Sequence, residues 1–328
     1  MNKIFKLTII ILANLIGFIA ISSQPVYAAE FPTHTIEMVI PYAAGGSADV
    51  LGRVIADEMG KVLGQSVIVT LKPGAGGNIG AEYIAKIARP DGYSFLFASV
   101  SLATSPSLTK LNFDPKKDLQ AIAGVGSIPS LMLVSSQSPY KTLPEFIAAV
   151  KSNQVQASFG SSGNNTGSHL VGELIKSISG IEMTHVPYKG SGAVYPDLIA
   201  GRITTLIDVM GSSLPQVQGG NVRAIAITSP QRSKLLPDVP TISEQGYPGF
   251  EFGTWFGFFA PVDVPAPIAK KLEQAVLQAL KSPAVKERLI AVGATPLPGP
   301  GVEFDKWFQA DIARWAKLVK EGRLKQLD

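Results

Sequence analysis

The sequence predicts an α/β fold built on mostly parallel sheets and divided into two domains. Three observations predict it. From residue 35 onward, short apolar β-branched runs alternate with segments of helical periodicity. Glycine-rich turns join strand to helix at recurring positions, first in Ile40-Pro41-Tyr42-Ala43-Ala44-Gly45-Gly46-Ser47-Ala48-Asp49. About 300 residues follow an N-terminal export signal, enough for two domains of roughly 150 residues each.

The signal comes first. Lys3 and Lys6 make a basic start, Leu7 to Ile21 is an apolar run broken by Thr8 and Asn14, and Val26-Tyr27-Ala28 offers small residues for cleavage. This is the form of a secretory signal peptide over residues 1–28, and the run is short against the ~20 residues of a membrane span. No cysteine is present, which excludes lipoprotein processing, disulfides and thiolate metal sites. The three histidines, His34, His169 and His185, show no metal-ligand spacing, so a dedicated transition-metal site is not expected; binding is expected to need no cofactor. Removing residues 1–28 removes Lys3 and Lys6 and no acid, and the formal charge falls from +4 to +2. With no dense basic run, nucleic acid and anionic membrane surfaces are not expected partners.

The elements follow in order. Thr35 to Ile40 reads as a strand ended by Pro41. Ser47 to Leu63 reads as a helix, with Val50, Leu51, Val54, Ile55, Met59 and Val62 on one face. Ser66 to Leu71 is a strand, Ile79 to Ala88 a helix stopped before Pro90-Asp91-Gly92, and Tyr93 to Ala98 a third strand. Strand–helix–strand–helix–strand in so few residues argues for parallel pairing. A second run holds strands at 131–134, 157–159, 183–186, 204–207 and 222–227. Its helices start at the cap Thr142-Leu143-Pro144-Glu145, after His169, and at 193–200. Trp255 to Ala260 is a further strand, and helices at 267–280 and 304–320 close the chain. The Pro-, Ser- and Gly-rich segments 99–130 and 228–252 are expected to be the crossings between domains. Domain 1 is then 29–130 plus 252–328, and domain 2 is 131–251.

Function is expected in the turns. A glycine-rich turn at a helix start offers unpaired N–H groups and the positive end of the helix dipole, which suits an anion. The first turn presents N–H groups from Ala44 through Gly46 to Ser47, the Ser47 hydroxyl and the Asp49 carboxylate. Asp49 reads equally as a helix cap and as a contact; Tyr42 reads equally as packing and as an apolar wall. The second turn, Gly74 to Asn78, fits neither a dinucleotide fingerprint nor a P-loop and reads as close backbone packing. The third turn, Gly160 to His169, brings Thr166 and Ser168 to a helix start and is expected to oppose the first; His169 reads more readily as a helix-start residue. Asp208 ends an apolar strand on the edge where α/β ligands bind, and reads as a contact or a helix cap with equal weight. The first and third turns contain no Arg or Lys, so neutral donors would hold a carboxylate. No G-x-S-x-G elbow occurs, and a Ser47–His169–Asp208 triad is the remaining route to catalysis. The pattern indicates an exported receptor for a small anion rather than an enzyme.

The chain resembles the Bug/TctC family, the extracytoplasmic solute receptors of tripartite tricarboxylate transporters. The resemblance is carried by residues 40–49, by Lys72-Pro73-Gly74-Ala75-Gly76-Gly77-Asn78-Ile79-Gly80, by Pro90-Asp91-Gly92-Tyr93, by His185-Val186-Pro187-Tyr188-Lys189-Gly190 and by Leu236-Pro237-Asp238-Val239-Pro240-Thr241. It implies a two-domain, type II periplasmic binding protein fold that closes by a hinge around a small carboxylate. It implies a periplasmic monomer delivering its ligand to large and small membrane permease proteins; presentation to a sensor kinase is the alternative. Family contacts carry over to Tyr42, Gly46, Ser47 and Asp49, and on the opposing loop to Thr166, Ser168 and His169. Ser99, which opens the loop after the third strand, and Ala44 complete the expected set. That loop, Ser99-Val100-Ser101-Leu102, departs from the family's commoner form, as does Ile207-Asp208-Val209 where Phe-Asp-Asn is usual.

Overall fold

The computed structural model describes residues 31–324, so the expected signal peptide lies outside the described residues. From His34 the chain forms one compact unit. Its strands are β1 (Ile36–Ile40), β2 (Val67–Leu71), β3 (Ser94–Ser99), β4 (Leu119–Ser135), β5 (Ser158–Ser161), β6 (Thr184–Pro187), β7 (Thr205–Val209), β8 (Val222–Ile227), β9 (Gly253–Pro261) and β10 (Thr295–Pro296). They form a path β2-β1-β3-β9-β4-β7-β5-β6, with β8 and β10 also on β4. Two parallel triplets, β2-β1-β3 and β6-β5-β7, are the cores of the two halves. The antiparallel strands β9 and β4 join them. β4 serves both halves: residues 119–129 pair with β9, and residues 130–135 pair with β7 and β8.

The helices are α1 (Ser47–Leu63), α2 (Asn78–Glu82), α3 (Ser101–Leu108), α4 (Leu143–Lys151), α5 (Gly167–Ser179), α6 (Tyr195–Ile199), α7 (Met210–Gln218), α8 (Ala266–Ala279), α9 (Pro283–Ala291) and α10 (Gly301–Lys320). α1 has the predicted bounds: its periodic apolar face buries Leu51, Ile55 and Met59, and Gly64 ends it in the left-handed conformation at φ 68°. The Thr142 cap is also as predicted, its side chain accepting from Glu145 N–H. The helix expected at 79–88 is instead one α-helical turn, α2, running into a π-helical turn at Tyr83–Ile87.

Segment 99–130, expected as a crossing between domains, is mostly regular structure. It folds as α3 and most of β4. Its glycines looked like breakers but serve packing: a Cβ on Gly124, or on its partner Gly257 across the ladder, would strike the ring of Phe304. The glycines let α10 lie directly on the sheet, and the register of β4 slips by a bulge beside them. Above this point Trp255, Phe259, Phe304, Phe308 and Trp315 form the aromatic core. The buried Asp311 accepts from Trp255 Nε1 at 2.9 Å and from Trp315 Nε1 at 3.0 Å, so the one acid in that core is satisfied. α7 and α9 were not anticipated.

The chain passes between the halves within β4 and again through 228–252. Thr228 stitches the two passages: its Oγ donates to Phe252 O at 2.8 Å and accepts from Ser130 N–H at 2.8 Å. Among the described residues no helix is long and apolar enough to cross a membrane.

Candidate functional site

The turns after β1, β5 and β7 lead into α1, α5 and α7, and all three reach one cavity of about 610 Å³ between the halves. That volume is in the range of small-molecule sites. Tyr42, Gly46, Ser47, Ser99, Thr166 and Ser168 line it; Ala44, Asp49, His169 and Asp208 do not. Ala44 is exposed beside the turn.

In the first turn Gly45 takes φ +77°, which only glycine adopts freely, and this swings the chain into α1. Asp49 turns back and accepts from Gly45 N–H at 2.9 Å, while Arg53 Nε bonds its other oxygen at 2.7 Å. The acid therefore closes the loop and complements the helix dipole. Ser47 Oγ is buried and has no hydrogen-bond partner. The first N–H groups of α1 have no intrahelical acceptor. Tyr42 Oη accepts from Ser99 N–H at 3.1 Å and shares a 2.7 Å bond with Ser101 Oγ, and burial pushes its hydroxyl up to about 12.

On the opposing side, Ser168 Oγ accepts from Ser162 N–H at 3.0 Å and meets the Ser162 and Thr166 hydroxyls at 2.9 and 3.0 Å. Thr166 Oγ donates to Gly163 O at 2.7 Å. These side chains shape the loop, Gly167 and Ser168 line the cavity, and the first N–H groups of α5 have no intrahelical acceptor. His169 lies behind them. Its Nδ1 accepts from Asn165 N–H at 3.1 Å, and its ring stacks on His185 at 3.8 Å between centroids. Desolvation holds both imidazoles down at about 4, so they are neutral in this site at pH 7.

Asp208 is fully buried behind the wall. Its carboxylate accepts from Ser191 Oγ (2.6 Å), Tyr195 Oη (2.7 Å), Ser212 Oγ (2.8 Å) and Val209 N–H (2.8 Å). Burial raises its pKa above the ordinary carboxylate value, against the opposing pull of the four donors. Ser191 and Ser212 line the cavity, so Asp208 acts on it through them. The Ser47–His169–Asp208 triad does not form: Ser47 Oγ has no partner, and the other two are bonded elsewhere. Among the described residues no three His, Asp or Glu side chains gather to hold a metal.

The second turn does what its glycines predicted, and also forms part of the wall. Gly76 sits at φ +66°, and a Cβ there would lie 2.8 Å from both Asn164 O and Asn165 Cβ. The turns from the two halves thus touch backbone to backbone. Asn165 completes the junction: Nδ2 donates to Ser105 Oγ at 2.6 Å, Oδ1 accepts from Thr104 Oγ at 3.1 Å, and Ser105 Oγ donates onward to Asn78 Oδ1 at 2.7 Å.

A family model described as "Tripartite tricarboxylate transporter family receptor" matches residues 51–324. The chain belongs to this family. Protein BugT of Bordetella pertussis is 35% identical over 302 residues, covering 91% of this chain and 92% of BugT. Among solved structures, MatC of Rhodopseudomonas palustris with bound malate is 34% identical, with a TM-score of 0.83 over 88% of this chain and 100% of that one. R. palustris Rpa4515 with adipate is 32% identical, with a TM-score of 0.83 over 88% and 97%. The fold is that of a two-domain periplasmic binding protein, and the chain is a solute receptor of this family, not an enzyme.

Sequence reasoning missed several residues that the receptor brings to the cavity or its rim. Asn165 holds a left-handed φ of +56° at 2% exposure, and Thr254 and Phe256 reach the cavity from β9. The strand's alternation could have signalled the last two: with Trp255 committed to the core, residues 254 and 256 must face the other way.

Proposed function

We propose that this receptor is exported by a signal peptide over residues 1–28, closes in the periplasm on a small carboxylate as a monomer, and delivers it to a tripartite membrane transporter. The observation that carries the reading is the pairing of two helix N-termini, α1 and α5, on one cavity whose lining contains no Asp or Glu. Free N–H groups and hydroxyls there favour an anion, and hydrogen bonds to a charged partner contribute roughly 1.5–3 kcal/mol each. The malate and adipate bound to its relatives support the ligand class. The family's description as a transporter receptor supports delivery to a large and a small permease protein over presentation to a sensor kinase.

The two domains of this reading are 29–130 plus 252–328, and 131–251. The hinge is the stitched passage at Ser130, Thr228 and Phe252. The ligand favours the closed state because only there do both helix ends reach it. The test is a thermal-shift screen of residues 29–328 against succinate, malate, adipate, citrate and benzoate. A ligand at a hundred times its Kd adds about 2.7 kcal/mol, a rise of a few degrees. Ser47→Ala and Thr166→Val should each reduce that rise. Stabilisation by neutral or cationic solutes alone would overturn the reading.

A further inference from the structure

Two buried hydroxyls that line the cavity have no hydrogen-bond partner in the protein, Ser47 Oγ and Thr254 Oγ. Ser47 belongs to the first turn and was expected there. Thr254 was not. It stands on β9, opposite Ile128 of β4, and is 4% exposed. Its strand position is firmly set. Trp255, the next residue, points to the other face, where its Nε1 donates to Asp311 at 2.9 Å and its ring meets Phe304, Phe308 and Trp307. Strand alternation then turns Thr254 and Phe256 toward the cavity, and both line it.

Thr254 Oγ ends beside the start of α5. A Cβ placed on Gly167 would collide with it, so the hydroxyl lies against the first residue of that helix. Gly167, Ser168 and His169 carry N–H groups that no residue of their own helix can accept. The first hydrogen bond of the turn is already Leu170 N–H to Thr166 O. A buried donor without a partner is disfavoured in a free protein and persists where function uses it. Here it stands against Gly167, which lines the same cavity together with Ser168.

We infer that Thr254 is a ligand-contact residue, its hydroxyl donating to the carboxylate that the N-terminus of α5 holds. The inference rests on the carboxylate reading above and adds to it a third source of contacts. Besides the two turns, the β9 strand at the base of the moving halves touches the ligand directly. The neighbouring glycine is part of the site, because any side chain at 167 would displace the hydroxyl.

The experiment compares wild type, Thr254→Val and Thr254→Ser, all as residues 29–328. Malate, succinate and adipate are the probes, read by melting temperature and calorimetric titration. Valine keeps the shape of threonine and removes only the hydroxyl. Free Thr254→Val should melt at or above wild type, because it loses an unpaired buried polar group. Its affinity for whichever probe binds wild type should fall about tenfold, and Thr254→Ser should recover most of that. A melting temperature several degrees lower in free Thr254→Val would mean that the hydroxyl serves the fold, and would overturn the inference. Unchanged affinity would also overturn it, while leaving the carboxylate reading intact. If neither these probes nor citrate or benzoate stabilises wild type, the carboxylate reading fails and this inference falls with it.

Discussion

Asp208 sets the character of one cavity wall without lining it. Four donors converge on its carboxylate, and the hydroxyl protons of Ser191 and Tyr195 are spent on it. Asparagine has the same shape but would turn an NH₂ group toward two of those donors. Asp208→Asn should therefore lose about 3 kcal/mol of unfolding free energy, as expected when buried donors lose a charged acceptor; urea denaturation measures it, and a loss below about 1 kcal/mol would contradict the network. The histidines make a second residue-scale case. His169 and His185 sit at about 4 in the folded protein, against about 6.5 when unfolded. Between those values the unfolded chain binds protons that the native one does not. Their contribution is full above pH ~6.5 and is lost as pH falls toward ~4. Glu173, 3.9 Å from His169 Nε2, opposes the loss, and Lys176 adds to it. Asp118, Asp197 and Glu244 have lowered values and act below their ordinary carboxylate range, in a more acidic window. The urea midpoint should drop between pH 7 and pH 5, and His169→Gln or His185→Gln should flatten that slope. An unchanged slope in both variants would assign the pH dependence elsewhere.

The turns between elements line most of the cavity, and the sequence announced some of them better than others. Helices with an uninterrupted apolar stripe, such as α1, were legible because period and caps agreed. The first part of β4, before the strand expected at 131–134, was hidden because Gly124 serves a neighbour, Phe304, that lies far away in sequence. The first and third turns were legible from glycine next to Ser and Thr at a helix start. The actual work of Asp49 and His169 was not, because capping and ligand contact call for the same residue types, and only the Gly45–Asp49 and Asn165–His169 bonds distinguish them. The second turn was rightly read as a packing device, but not as one that packs against the other half. Gly76→Ala tests that junction. The new Cβ would lie 2.8 Å from Asn164 O, on backbone at φ +66°, so the halves could not meet as they do. Carboxylate affinity should fall more than tenfold in a titration, while the free protein, which need not close, melts within a few degrees of wild type. Equal loss of both would place Gly76 in the fold rather than in closure.

Across the whole molecule, charge decides what the cavity accepts. The protein is nearly neutral overall, so long-range steering contributes little, and selectivity must come from the lining. Lys189 is the one charged side chain there, and it is solvent-exposed. The carboxylates just behind the wall are committed: Asp49 to Gly45 and Arg53, Asp208 to its four donors, Asp197 to Tyr188 and Arg202. A ligand carboxylate finds N–H and O–H donors, whereas a ligand ammonium finds no free acid. Burying an unpaired ammonium costs several kcal/mol even after relaxation, enough to offset much of a small ligand's binding. The receptor should therefore prefer a carboxylate without an amino group to its amino-acid counterpart. Calorimetric titration with succinate and aspartate, which share a carbon skeleton and both carboxylates, isolates the ammonium. Succinate should bind at least tenfold more tightly, and the gap should persist at higher salt, because desolvation rather than screened attraction causes it. Aspartate binding as tightly as succinate would mean that Asp208 or Asp49 gives up a partner on ligand entry.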